Sequence, residues 1–347
     1  MRNTGIYIAL ASAVLFGGSI PLAKLLLGQI EPWLLAGLLY LGSGLILSVL
    51  LILRRLTNSI PAEASLQKPD LLWLAGATLA GGIVAPVLLL IGLTETEAST
   101  ASLLLNLEAL ATMGLAWIVY RENVDRRLLI GAAAILTGSI LLSWNGGGRI
   151  GWGAFAILAA CLAWGIDNNL TRKISAADPI QITAIKGSVA GIVNVVIALM
   201  VGAKLPSLAL LASAGIIGFF GYGLSIVLFV IALRHLGTAR TSAYFSTAPF
   251  VGAILSVVIF AEPITIKLIG AAILMGIGVW LHVSERHEHP HRHDATEHDH
   301  AHLHDEHHRH EHLTGEPVGE PHTHRHKHTA ILHHHPHYPD LHHRHSH

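Results

Sequence analysis

Long apolar runs, each about as long as a membrane crossing, dominate the first 283 residues. A crossing needs about 20 mostly apolar residues, and the connections are short apart from the stretch from Arg54 to Pro69. Lipid offers no partner to open backbone groups, so such runs must be helical. The pattern predicts an all-α membrane protein with ten transmembrane helices at 4–26, 33–53, 71–92, 98–119, 127–144, 151–172, 180–202, 207–232, 238–260 and 265–283.

Composition supports this interpretation and separates a tail from the helices. The 347 residues are 52% hydrophobic and 13% charged, whereas soluble domains carry about a quarter charged residues. Residues 287–347 hold 24 of the 26 histidines and almost no apolar side chains. Such a segment cannot bury enough surface to offset the ordering of its backbone. The tail is therefore predicted to be disordered.

The distribution of Lys and Arg predicts an orientation. With the N-terminus in the cytoplasm, 12 of these residues fall in cytoplasmic connections, and only Lys24, Arg149, Lys204 and Lys267 fall on the other side. Positive charge accumulates on the cytoplasmic side of membrane proteins. The sequence thus predicts a bacterial plasma (inner) membrane protein whose two termini, including the tail, are cytoplasmic.

The two halves of the helical part resemble each other. Leu93–Glu122 runs in step with Leu233–Glu262 at an offset of 140, and Phe16-Gly17 matches Trp164-Gly165. Each half has five predicted helices, an odd number, so the second half enters the membrane from the opposite side. The predicted domains are an inverted pair, 1–144 and 145–286, followed by the tail. Inverted repeats are typical of secondary transporters with a midplane site, although a duplicated bundle without a transport role remains an alternative.

A family resemblance rests on motifs spread over residues 1–283. The chain resembles the EamA-type ten-helix transporters of the drug/metabolite transporter superfamily. The resemblance implies transport of amino acids, metabolites or drugs, driven by a proton gradient or by exchange. One departure is Leu39, where the second half has Lys186. The motifs are Phe16-Gly17-Gly18-Ser19, Trp164-Gly165, the turns at 92–98 and 232–239, Asn106-Leu107-Glu108, Pro249, and the pairs Glu122 with Gly131 and Glu262 with Gly270.

Ionisable residues inside predicted spans are candidates for function because their burial in lipid is expensive. Glu108 lies near the midplane of the fourth span and is predicted to carry protons, with a structural carboxylate as the alternative. Asp167 and Lys186 are predicted to lie near the transport path; the alternatives are a fixed ion pair or side chains that snorkel to the interface. Asn168 and Asn169 would contact substrate or bond neighbouring helices. The remaining substrate-site candidates are Asn106, Trp164, Phe16, Ser19, Tyr244, Ser246 and Pro249.

The histidines of the tail indicate metal binding. Neutral imidazole binds Zn, Ni, Co and Cu, and His-x-His and His-His spacings recur. A pH sensor is also open, because histidine titrates near neutrality. Bound metal is not required as a cofactor of transport. The predicted ligands are His298, His300, His302, His304, His307, His308, His310, His312, His322, His324, His326 and His328.

These patterns favour a secondary active transporter of small organic solutes, working by alternating access as an exporter. The main alternative is a divalent-metal transporter with the tail as metal collector or sensor. A further alternative is a metal-storage or sensing protein anchored by the helices. Neither a phosphate-binding nor a dinucleotide motif occurs in context, and no nucleophile with its base is evident, so an enzyme is not predicted. The expected partners are the bilayer, a small solute and metal ions at the tail, without nucleic acid; a homodimer is open.

Overall fold

The computed structural model describes residues 2–57, 65–120, 126–144, 151–175, 177–236, 241 and 244–283, and four short segments of the tail. The membrane part is built of helices, and a π-helical segment interrupts the third crossing of each half. The helices are α1 Arg2–Leu27, α2 Pro32–Leu56, α3 Asp70–Ala77, α4 Ala85–Thr94, α5 Ala98–Leu104, α6 Asn106–Tyr120, α7 Arg126–Ser143, α8 Trp152–Ile174, α9 Pro179–Met200, α10 Leu208–Gly218, α11 Ser225–Leu236, α12 Ala248–Phe260 and α13 Ile266–Val283; the π segments are Thr78–Val84 and Phe219–Leu224.

These elements correspond to the ten predicted crossings. Eight helical stretches are long and apolar enough to span a bilayer, and the ninth and tenth crossings contain the shorter apolar helices α12 and α13. Crossings three, four and eight are each made of two helices in line. The prediction of an all-α, ten-helix membrane fold is confirmed, and the chain is an integral membrane protein.

The irregularities of the helices recur in both halves. The π segments Thr78–Val84 and Phe219–Leu224 occupy the same place in the third crossing of each half. The fourth crossing breaks at Leu105 in the first half and at residues 246–247 in the second. A π turn adds a residue to one helical turn and often marks a functional position. Their recurrence at matching positions shows that the two halves share one architecture.

The two halves interleave, so that helices of one half are in contact mainly with helices of the other. The third crossing of the first half packs on α8, and that of the second half packs on α1. Within these contacts, Gly81 lies against the carboxylate of Asp167, and Gly221 lies against Ser19. The matching pair shows the internal symmetry at the level of single residues, with a charged side chain in one half and a hydroxyl in the other.

Glycines allow α2 and α9 to approach at backbone distance. A Cβ atom on Gly187 would lie 2.8 Å from the backbone nitrogen of Gly44 and 2.9 Å from the Tyr40 carbonyl oxygen. Real Cβ atoms do not come that close to backbone atoms. Small residues serve the same purpose in other membrane helix interfaces, where packing rather than the hydrophobic effect holds helices together.

Four short strands lie in the tail. Glu288–His293 pairs antiparallel with Ile331–Pro336, and Glu297–His302 pairs antiparallel with His322–Lys327. The disorder expected from the composition of residues 287–347 stays a prediction, and these paired segments are the part of the tail that the structure describes. The rest of the tail lies outside the described residues.

The close contact between α2 and α9 yields a prediction about stability. Gly187→Ala forces a methyl group into backbone atoms of α2 and should destabilise the protein by about 1–3 kcal/mol. We expect a lower melting temperature of the purified protein in detergent. Gly114→Ala is the matched control, since a Cβ atom there meets nothing within 4 Å. It should leave the melting temperature unchanged or raise it, because alanine favours helix. Equal shifts in both variants would contradict the interpretation.

Candidate substrate and coupling site

A buried ion pair joins α8 to α9 near the middle of the bundle. Lys186 Nζ donates to Asp167 Oδ2, and Thr171 Oγ1 donates to Asp167 Oδ1 at 2.9 Å. Both charged side chains are 6% exposed. A charge removed from water is tolerated only when it is paired and hydrogen-bonded. Of the alternatives that the sequence leaves open for Asp167 and Lys186, the ion pair is the one present in the structure.

Glu108 lies beside this pair on the neighbouring α6. It follows the break at Leu105 that separates α5 from α6, and its side chain is partly buried. Asn168 Nδ2 donates both to Glu108 Oε1 (2.9 Å) and to Thr112 Oγ1 (3.1 Å). Asn168 follows Asp167 directly in α8, so this bond sets the Glu108 carboxylate against the helix that carries the ion pair. The structure thus brings together Glu108, Asp167, Asn168 and Lys186, which we call the polar centre.

Asn169, next to Asn168 on α8, bonds backbone groups beside the polar centre. Its Nδ2 donates to the backbone oxygens of Thr112 (3.1 Å) and Gly165 (2.8 Å). Asn169 is buried, and its bond to Thr112 joins α8 to α6, whereas its bond to Gly165 lies within α8. Of the two roles open for this asparagine, bonding between helices is the one visible in the structure.

The π segment of the third crossing supplies a carbonyl group that two aromatic side chains share. Tyr40 Oη donates to the Gly81 oxygen at 2.7 Å, and Trp164 Nε1 donates to the same oxygen at 3.1 Å. A Cβ atom on Gly81 would overlap the carboxylate of Asp167. The residue at position 81 must therefore be glycine if the ion pair is to lie against this helix.

An aromatic cluster covers one side of the polar centre. Phe16 contacts Trp164 edge to face, with ring centroids 6.1 Å apart, and contacts Tyr222 at 5.9 Å and Phe245 at 5.3 Å. Tyr40 and Tyr222 lie 5.2 Å apart. Phe16 and Trp164, predicted from matching positions in the repeat, meet across the boundary between the halves.

The other predicted site residues lie on α1 and at the breaks of the fourth and ninth crossings. Ser19 Oγ donates to the Phe16 oxygen at 2.6 Å. Asn106 is buried next to the break, where its Nδ2 donates to the Leu103 oxygen at 2.9 Å. Tyr244 and Ser246 lie at the matching break of the second half, and Pro249 follows in the first turn of α12. The missing N–H of Pro249 costs no helical hydrogen bond there, so this proline begins a helix and does not kink one.

Sequence reasoning missed four residues that complete the centre: Tyr40, Gly81, Thr112 and Tyr222. Gly81 looks like one of many glycines in the sequence. Thr112 follows Glu108 by four residues, which places both on one helix face. That spacing is the signal that could have identified Thr112.

The predicted metal ligands divide into two sets. His298, His300 and His302 lie on one strand of the tail and are paired in register with His326, His324 and His322. The other six lie outside the described residues: His304, His307, His308, His310, His312 and His328. Among the residues that are described, no group of three or more His, Cys, Asp or Glu side chains is placed to hold a metal ion.

Comparison with known proteins identifies the family. The profile of the EamA-like transporter family matches residues 3–144 and again residues 151–284. The chain belongs to the EamA-like transporter family. The two matches cover the two halves, so the repeat found in the sequence is a duplication of the family's own unit. The protein is therefore a membrane transporter of a family of transporters and not of enzymes.

Individual relatives agree with this assignment. The chain is 30% identical over 298 residues to an uncharacterized transporter of Methanothermobacter thermautotrophicus, a match that covers 81% of this chain and 87% of the relative. It is 25% identical over 234 residues to the uncharacterized inner membrane transporter YedA of Escherichia coli K12, covering 65% and 72%. A crystal structure with 18% identity superposes with a TM-score of 0.62 and covers 82% of this chain and 99% of that one. That likeness supports the fold.

The buried ion pair yields a prediction about energetic coupling. Asp167→Asn or Lys186→Met alone leaves one charge buried without its partner, which costs about 3–5 kcal/mol. The double variant removes both charges. We expect each single variant to lower the melting temperature in detergent and the double variant to recover most of the loss. Losses that simply add in the double variant would show that the two charges do not stabilise each other.

Proposed function

We propose that the protein is a secondary active transporter of small organic solutes, an exporter that works by alternating access and uses Glu108 as its coupling residue. The supporting observation is the polar centre, where Glu108 lies beside a paired Asp167 and Lys186 at the boundary between inverted halves. Both termini lie in the cytoplasm of a bacterium in this proposal, as the distribution of Lys and Arg predicts.

The pairing of Asp167 with Lys186 gives Glu108 its special position. The ion pair neutralises two of the three charges in the polar centre. The described hydrogen bond to the Glu108 carboxylate comes from the neutral amide of Asn168. A proton or a cationic group of the solute can neutralise this remaining charge, and the two would compete for it. Competition for one site, combined with access from alternate sides, is sufficient for exchange.

The aromatic cluster favours an organic solute. Phe16, Trp164 and Phe245 present ring surfaces next to the polar centre. Solute sites combine apolar and aromatic walls with a few polar groups that orient the ligand. A solute with a flat or apolar body and a charged or polar end fits this combination, whereas a hydrated metal ion would gain nothing from the rings.

The coupling role can be tested in proteoliposomes. A thermal-shift screen of metabolites against the purified protein first supplies a transported probe. Glu108→Gln keeps the shape of the side chain but removes its charge. We expect the acceleration of probe flux by an imposed proton gradient to fall at least about tenfold, the range of a modest coupling energy.

Glu95→Gln serves as the matched control for this experiment, since Glu95 is an exposed carboxylate on a turn. It should respond to the proton gradient as the unaltered protein does. If Glu108→Gln also responded normally with unchanged pH dependence, Glu108 would not be the coupling residue.

For the tail we propose a separate role in binding divalent transition metals. The supporting observation is the strand register, which sets three pairs of histidines opposite each other, beginning with His298 and His326. Opposite residues of an antiparallel pair lie about 4.5–5.5 Å apart. Histidine is a common ligand of Zn, Ni, Co and Cu. The tail, residues 287–347, then forms a third domain beside the halves 1–144 and 145–286.

Removal of residues 287–347 separates the two roles. We expect calorimetric titration with Ni²⁺ or Zn²⁺ to show a loss of nearly all binding, while the flux of the organic probe is retained. Loss of metal flux together with metal binding would instead support the metal transporter, with the tail as its collector. Undiminished binding in the truncated protein would contradict a metal site in the tail.

A further inference from the structure

The turn that joins α4 to α5 is held by two charged residues from different parts of the chain. Lys24, near the end of α1, donates through Nζ to the Leu93 oxygen at 2.9 Å and also to the Thr96 oxygen. Glu262, from the connection between α12 and α13, accepts hydrogen bonds from backbone N–H groups at the start of α5, on the other side of the turn. A cation on carbonyl groups at a helix C-terminus and an anion at a helix N-terminus are both favourable.

Glu262 uses both carboxylate oxygens on α5. The Ala98 N–H donates to Oε1 at 2.8 Å, and the Ser99 N–H donates to Oε2 at 2.9 Å. These donors belong to the first turn of α5, where N–H groups have no partner within the helix. Because Glu262 belongs to the second half and α5 to the first, the two bonds connect the halves.

The backbone conformation of the residue before Glu262 is strained, and it turns the chain so that Glu262 can reach α5. Ala261 adopts φ 49°, and among the described residues other than glycine no second positive φ occurs. A non-glycine residue in the left-handed region costs on the order of 1 kcal/mol and is retained where surrounding contacts require it. Ala261 ends α12 in this conformation and directs the chain toward α5. The bonds of Glu262 are the contacts that compensate for the strain.

The helices beneath these bonds are tightly closed. A Cβ atom on Gly252 of α12 would lie 2.8 Å from Ser102 Oγ of α5 and 2.9 Å from the Gly17 oxygen of α1. Gly17 in turn lies against the Ala248 carbonyl group. No room is left between α1, α5 and α12 at this point. These contacts lie along α12 below the bonds of Glu262, and the bonds themselves lie at the end that the orientation predicts to be outside.

The internal repeat places the same charge types in the other half. At the offsets that relate the halves, Glu262 corresponds to Glu122 and Lys24 to Arg172. Arg172 lies in the last turn of α8, and Glu122 lies outside the described residues. If Glu262 served only to cap α5, the other half would not need a carboxylate and a cation at the matching positions. A contact that closes one face of the transporter would be needed once at each face, and therefore once in each half.

We infer that Lys24 and Glu262 form a latch that holds the predicted outer face of the transporter closed. The inference rests on the proposed alternating access and adds a positioning role for residues that do not touch the polar centre. Glu262 bridges the halves while the outer face is closed and must release Ala98 and Ser99 when α5 separates from α12. Removal of its charge shifts the resting protein toward an open outer face.

Spin-label distances test the latch without any transported solute. Cys161, the free cysteine of the chain, is replaced by alanine. Labels are attached at Glu95→Cys and Ile264→Cys, two exposed positions that flank the bonded residues, one in each half. We expect Glu262→Gln to shift the main label distance to longer values in the full-length protein in lipid nanodiscs. A melting curve of each variant shows that it is folded.

Glu31→Gln is the matched control for the latch. Glu31 is an exposed carboxylate in the connection between α1 and α2, at the same predicted outer end as Glu262. This variant has the same change of charge and should keep the short label distance. An unchanged distance in a folded Glu262→Gln protein would overturn the latch and leave Glu262 as a helix cap.

The latch and the proposed coupling can fail independently. A longer distance in Glu262→Gln supports the latch even if Glu108→Gln shows no effect on proton-driven flux. Conversely, an unchanged distance removes the latch while a loss of coupling in Glu108→Gln still supports transport through the polar centre. Lys24→Met is a second test of the latch, and it should lengthen the same label distance. A folded Lys24→Met protein that keeps the short distance would show that Lys24 is not part of the latch.

Discussion

Close approach of helices from opposite halves is the constraint on which the rest of this structure depends. Lipid provides no hydrophobic drive between helices, so they must associate through packing and a few polar bonds. Gly187 lets α9 reach the backbone of α2, and Gly81 lets the third crossing reach Asp167. The interleaved arrangement follows from these contacts, and with it the position of every charged group in the interior.

The polar centre shows how such a bundle holds charge without water. Asp167 and Lys186 satisfy each other, and Thr171 takes up the second carboxylate oxygen. Glu108 receives its described bond from an amide, so its charge state can change without breaking the ion pair. In the proposed mechanism, the fixed ion pair gives the site a stable frame, and Glu108 is the group that responds to ligand or proton.

The inverted repeat gives the two halves the same architecture but different chemistry. Gly81 against Asp167 in one place corresponds to Gly221 against Ser19 in the other. The contact is conserved in shape, whereas the ionisable group occurs only once. In the proposed alternating access, symmetry of shape lets the halves exchange conformations, while an ion pair occupies one of two places that match in shape. The latch at Lys24 and Glu262 belongs to the symmetric part, since both positions recur as charges of the same sign in the sequence.

The sequence by itself determined the ten helices, the duplication and the identity of the buried ionisable residues, because bilayer thickness and the cost of burying charge act on local composition. It could not show which of the two carboxylates, Asp167 or Glu108, pairs with Lys186. Nor could it show that Gly81 and Tyr40 complete the site. Those contacts depend on which faces of the helices meet. Because a membrane helix is apolar on nearly all sides, its sequence pattern does not show which face is buried against another helix. Only the tertiary structure, through the approach distances that glycine permits, decided which side chains share the centre and which hold the closed end.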